Sequence, residues 1–290
     1  MRWIDRRLFA PTPRAHTELL QLALALVMGT RLATSRYWEL SDMPSVLFAP
    51  PWFLSGLSEP PSAAVLAAVQ AVGLAGGLFV LISRGRSRPA FVVTWCALVV
   101  LAGVQTSGGK ILHNDVLLLL AAAPFLLPCR SVRTSGDGPA RVEGWQRRTA
   151  MVLVALGYMC SGLMKLRHSG LEWVFGENLR WVLYAGANRE GSILPTIARA
   201  IAGQLWLTVV IAGATIATEV LFPLALVWRR ARVLLAAGAV ALHVAVFLLL
   251  GLDYWTWVAS VVILFVLDPS RVYSGRSQRT TSVMAPVSTS

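Results

Sequence analysis

Long apolar runs separated by short arginine-bearing connections set the plan of this chain. Runs at 17–34, 62–83, 89–107, 111–128, 149–166, 204–228, 233–251 and 254–268 approach the roughly 20 residues that a helix needs to cross a bilayer core. They predict an all-α, polytopic membrane protein of about eight transmembrane helices, the last the shortest. One helical domain is expected over residues 1–268, followed by a Ser-, Thr- and Arg-rich tail at 269–290 expected to be disordered. No small-x-small cleavage site follows the first run, which is therefore read as a retained span. Two connections are too long for turns. Residues 35–61, with Trp38, Pro50, Pro51 and Trp52, read as an interfacial or re-entrant segment, and 167–203 as helices lying along the membrane surface.

Composition supports the pattern. The chain is 56% hydrophobic and 14% charged, against about 45–50% and about 25% in soluble domains. Its net charge of +12 could suggest nucleic acid, but the cations fall between the apolar runs instead of gathering on one face, so a nucleic-acid partner is not expected. Their distribution orients the helices instead. Arginines at 2–14, 84–88, 130–148, 229–232 and 271–279 fall on one side; Arg31, Arg36, Lys110, Lys165, Arg167, Arg180, Arg189 and Arg199, a smaller set, fall on the other. Cytoplasmic loops carry the excess of positive charge, so both termini are predicted to be cytoplasmic and the chain a multi-pass protein of the cell membrane, with the lipid bilayer as its first partner.

Polar residues inside the apolar runs carry the candidate chemistry, because each costs free energy in lipid unless it has a partner or a task. They are Lys110, His113, Asn114 and Asp115 at the outer end of the fourth run, Lys165 at that of the fifth, Glu219 in the sixth, His243 in the seventh and Asp253 at its outer end. Tyr158, Gly162 and Lys165 stand at i, i+4 and i+7, one stripe of a helix, with the glycine leaving room beside the amine. The fourth run descends from the outer surface and the fifth rises to it, so His113 and Lys165 are expected to share a depth. Low dielectric and neighbouring cations disfavour an ammonium there, and a neutral amine serves as a general base or nucleophile. The competing reading is a lysine that snorkels to the interface as an anchor. For Glu219 the expected partners are a hydroxyl of a neighbouring helix or His243. Asp115 and Asp253 read as rim or capping residues. Four histidines without ligand spacing predict no metal site, and three scattered cysteines predict neither a disulfide nor a zinc centre.

The string Tyr158-Met159-Cys160-Ser161-Gly162-Leu163-Met164-Lys165, followed by Trp173 and Gly176, resembles the motif of the HTTM family, bacterial relatives of the membrane domain of vitamin K-dependent gamma-carboxylase. Leu112-His113-Asn114 at the head of a leucine-rich run, and Glu219, Pro223, Arg229, Arg230 and His243 further on, resemble later parts of the same pattern. The resemblance implies an outward-facing pocket in which Lys165 is the catalytic base and His113 a catalytic partner, with Tyr158, Gly162, Asn114, Trp173, Glu219 and His243 around them. It implies gamma-carboxylase-like lysine-base chemistry, with a reduced quinone as the suggested cofactor. The substrate would be a quinone-like lipid or, as in SdpB-like members that mature peptide toxins, an exported peptide. The alternative from another class is a non-catalytic membrane assembly factor or a transporter.

Overall fold

The structure, a computed structural model, describes residues 8–108, 114–132 and 140–267; the proposed tail at 269–290, His113 and Lys110 lie outside them. The described residues are mostly helical. Its helices are α1 (Arg14–Thr34), α2 (Ala63–Ile82), α3 (Arg88–Thr106), α4 (Val116–Ala122), α5 (Trp145–Ser169), α6 (Glu172–Phe175), α7 (Asn178–Ala187), α8 (Pro195–Ala202), α9 (Leu205–Leu221), α10 (Leu224–Val227), α11 (Arg229–Leu250) and α12 (Trp255–Val261).

Among the described residues, four helices are long and apolar enough to cross a membrane, α2, α3, α5 and α11, and a fifth if α8 and α9, which meet at 102°, are taken as one bent span. Each of the eight apolar runs contains helix, yet several are shorter than the sequence predicts. In the fourth, Pro124 turns the end of α4 into a 3-10 segment, Ala123–Leu126, because proline cannot donate the next helical hydrogen bond. Pro223 likewise separates α9 from α10. The last run is α12 continued by a π-turn, Val262–Val266.

The helix ends follow local chemistry. Ser62 and Ser87 accept from the amides of Val65 and Ala90, each at 3.4 Å, and so start α2 and α3. Gly251, at φ +64°, closes α11 in the left-handed region that glycine enters without a Cβ clash. The core gathers on α1, where Leu20, Leu24, Met28 and Leu32, spaced by four, are all sealed from solvent. Gly73 lets α2 approach α1 and α3, since a Cβ there would lie 2.7 Å from that of Ala97. One turn on, Gly77 faces Thr94 of α3 and Gly29 of α1 at ordinary van der Waals distance.

One feature was not expected from the sequence. Pro11–Pro13, Ser131–Val132 and Arg141–Glu143 form a small antiparallel sheet, with Arg141–Glu143 in the centre and Thr12 opposite Val142. It lies at the end of the bundle where α1 and α5 begin. The arginines assigned to one side meet there: Arg14, Arg86 and Arg88 around one depression, Arg147, Arg148 and Arg232 around another. Arg31 and Lys165 stand at the far ends of α1 and α5, 17 and 20 residues from the first residue of each helix and so about 25 and about 30 Å away. At that far end lie three short 3-10 turns (Tyr37–Asp42, Ser45–Leu47, Trp52–Leu54). Beside them α7 and α8 pack on the end of α11 through Leu183, Ala187, Ala198, Ala202 and Leu250.

Candidate functional site

The site is built where α5 crosses α9. Gly162 makes the crossing close: a Cβ there would stand 2.9 Å from that of Glu219 and 2.8 Å from Cγ2 of Val220. The glycine therefore admits the neighbouring helix more than it frees the amine. One turn on, the Lys165 Nζ donates to both carboxylate oxygens of Glu219, 2.6 Å from Oε2, and to the Ser161 hydroxyl at 3.2 Å. Ser161 in turn donates to Glu219 Oε1 at 3.3 Å. Trp173 closes the group, its ring centroid 5.4 Å from the amine. The Glu219 side chain is 7% exposed and that of Lys165 28%, so the carboxylate is enclosed and the amine is part-exposed. The amine's immediate neighbour is thus a carboxylate rather than the further cations the sequence suggested. Glu219 finds the hydroxyl partner expected of it, together with a cation that was not.

Two turns deeper on α5 lies Tyr158, fully buried. Its ring stacks on Phe222 at 4.4 Å and 13°, meets Trp257 edge-on at 5.4 Å and lies 5.8 Å from His243. His243 also faces Tyr254 at 5.5 Å and Trp257 at 5.1 Å. The Tyr158 hydroxyl has no hydrogen-bond partner among the described residues, an uncommon state for a buried polar group. Beneath the ion pair, then, is an aromatic box with one unused hydroxyl.

A second centre was missed from the sequence. Arg31 reaches from α1 to Asp115, its Nε 3.0 Å from Oδ1, and to Asp253, its Nη1 2.9 Å from Oδ2. The side chains of Arg31 and Asp115 are 9% and 5% exposed. Asp115 occupies the capping position of α4 but makes no capping bond, so its reading as a cap is corrected: the carboxylate is spent on the guanidinium. Asn114, expected around the lysine, donates instead to the Asp253 carbonyl at 2.7 Å, and its own carbonyl accepts from Thr256 at 2.6 Å. Tyr37 is buried beside them; burial first, and the Asp115 charge second, push its phenol up to about 12. A signal for this centre was present, because Arg31, Asp115 and Asp253 all fall at outer ends of runs. The depth argument that paired Lys165 with His113 applies to them equally.

Among the described residues no group of three His, Cys, Asp or Glu side chains could hold a metal ion. No family model, curated protein or solved structure matches the chain, and the functional reading therefore rests on these residues. The arrangement can hold one proton between a part-exposed amine and an enclosed carboxylate, above a buried aromatic cluster. Gly162 is the hinge of that geometry: Gly162→Leu is expected to force α5 from α9 at a cost of about 1–3 kcal/mol, seen as a lower unfolding midpoint in detergent. An unchanged midpoint would show that the helices do not meet there.

Proposed function

We propose that the chain is an eight-span protein of the cell membrane with both termini cytoplasmic. Its outward-facing Lys165–Glu219 pair takes a proton from a quinone-like lipid, the chemistry suggested by the likeness to HTTM proteins. The observation that carries this is a part-exposed amine held by an enclosed carboxylate, two turns from a box of packed aromatic rings. The pair carries one proton as ammonium and carboxylate. Moving that proton onto Glu219 leaves a neutral, part-exposed amine. The amine then takes a hydroquinone hydroxyl proton, giving the hydroquinone anion and an ammonium beside the neutral acid. Trp173, beside the amine, supplies a flat apolar surface for the ring system, and the buried rings of Tyr158, Phe222 and Trp257 support the site from beneath. Segregation of the arginine groups to the end opposite Lys165 supports the orientation.

The test follows oxidation of added hydroquinone by dissolved dioxygen in membranes containing the protein, the anion formed at the pair being the form that gives up its electrons. A positioned general base contributes about 10²–10⁴-fold, so Lys165→Met is expected to lower the rate at least about 100-fold. Lys165→Arg should do the same, because a guanidinium does not give up its proton in this range. Parental rates in both variants would refute the base. Loss in Met alone would make Lys165 a positive anchor. Modification of an exported peptide without hydroquinone consumption would transfer the site to a peptide substrate. A reporter at residues 130–148 found outside the cell would overturn the orientation.

A further inference from the structure

At the arginine-rich end, far from Lys165, a cavity of about 550 Å³ opens between the starts of α1 and α5 and the α10–α11 turn. Arg147, Arg148 and Arg232 line it, and among the described residues no carboxylate does. Main-chain carbonyls hold each guanidinium in place. Arg148 Nη1 donates to Leu8 and Ala10 at 2.6 and 3.0 Å, Arg232 Nε to Ala225 at 2.9 Å, and Arg147 Nη2 to Leu264 and Leu267, both at 3.2 Å. In Arg148 and Arg232 those bonds occupy one nitrogen of each guanidinium and leave further N–H donors. Neither Arg148 nor Arg232 has an acidic partner among the described residues. The remaining wall is apolar, with Met151, Leu226 and Val227, and Val227 is 68% exposed on the outer surface. The neighbouring depression differs, since its Glu18 already pairs with Arg14 and Arg86.

We infer that this cavity binds the headgroup of an anionic phospholipid, the phosphate between Arg148 and Arg232 and an acyl chain along Leu226 and Val227. Fixed donors suit phosphate oxygens, and a basic pocket between helices at the cytoplasmic face suits such a lipid. The chain's own ends are net positive and do not complement it: residues 268–290 carry Arg271, Arg276 and Arg279 against Asp268, and residues 1–7 carry three arginines against Asp5. The inference shares with the proposed function only the membrane setting and its orientation, and stands or falls without Lys165.

The experiment is thermal unfolding of the full chain in detergent with added phosphatidylglycerol, phosphatidylcholine or inorganic phosphate. Binding to the folded state raises the midpoint, and a rise of about 3 °C or more is expected with phosphatidylglycerol alone. Arg232→Gln should lose most of that rise, and so should Val227→Glu, which places a carboxylate in the wall while leaving every guanidinium bond intact. Arg86→Gln, in the neighbouring depression, should keep it. Equal rises with both lipids, or an undiminished rise in both Arg232→Gln and Val227→Glu, would overturn the inference. An equal rise with inorganic phosphate would do so too, reassigning the cavity to a soluble anion.

Discussion

Replacing Arg31 with leucine is expected to lower the unfolding midpoint of the detergent-solubilised protein by about 10 °C, because removing one partner of a buried ion pair costs about 3–5 kcal/mol. The cost arises from what remains. Asp115, 5% exposed, would hold an enclosed charge with no cation against it, and Asp253 would lose the contact that ties α12 to α1. Three chain segments far apart in sequence meet at this one guanidinium. Arg31→Lys should recover only part of the loss, since a point charge does not match a planar fork serving two carboxylates. A second change separates charge from packing: Arg31→Leu with Asp115→Leu should be more stable than Arg31→Leu alone, because replacing both partners leaves no stranded charge. Arg31→Leu melting with the parent would mean that the triad is wetted and energetically idle.

Much of the helical plan was legible, because each segment announces itself through local composition. What the sequence could not carry was information held between segments. The stripe Tyr158, Gly162, Lys165 was readable as one face of a helix, whereas the register of α9 against α5, which brings Glu219 to the amine, depends on the mutual approach at Gly162. The sheet of Pro11–Pro13 with Arg141–Glu143 pairs residues about 130 positions apart, through strands too short to show alternation. Arg31 was counted as an orientation marker, and that use hid its more specific one: a cation inside a run asks for a partner. Asn114 was assigned by likeness to the lysine pocket, while its side chain serves the Arg31 centre on the other side of the aromatic box.

Lys165 and Glu219 offer the other large effect, and their unequal exposure gives it a direction. Lys165→Met strands a carboxylate that is 7% exposed, whereas Glu219→Gln leaves an ammonium 28% exposed beside Trp173. The first is therefore expected to cost about 3 kcal/mol, near the lower bound for a broken buried pair. The second should cost about 1–2 kcal/mol, the range for a lost charged hydrogen bond with its partner still hydrated. The double variant should be more stable than the sum of the two losses predicts, with a coupling of at least about 1 kcal/mol, measured by denaturant unfolding of all four proteins. Additive losses would mean that the two groups do not meet. The same four proteins separate folding from chemistry. A double variant restored towards parental stability yet inactive on hydroquinone would assign the rate to the proton held by the pair, because packing alone would then have been repaired without it.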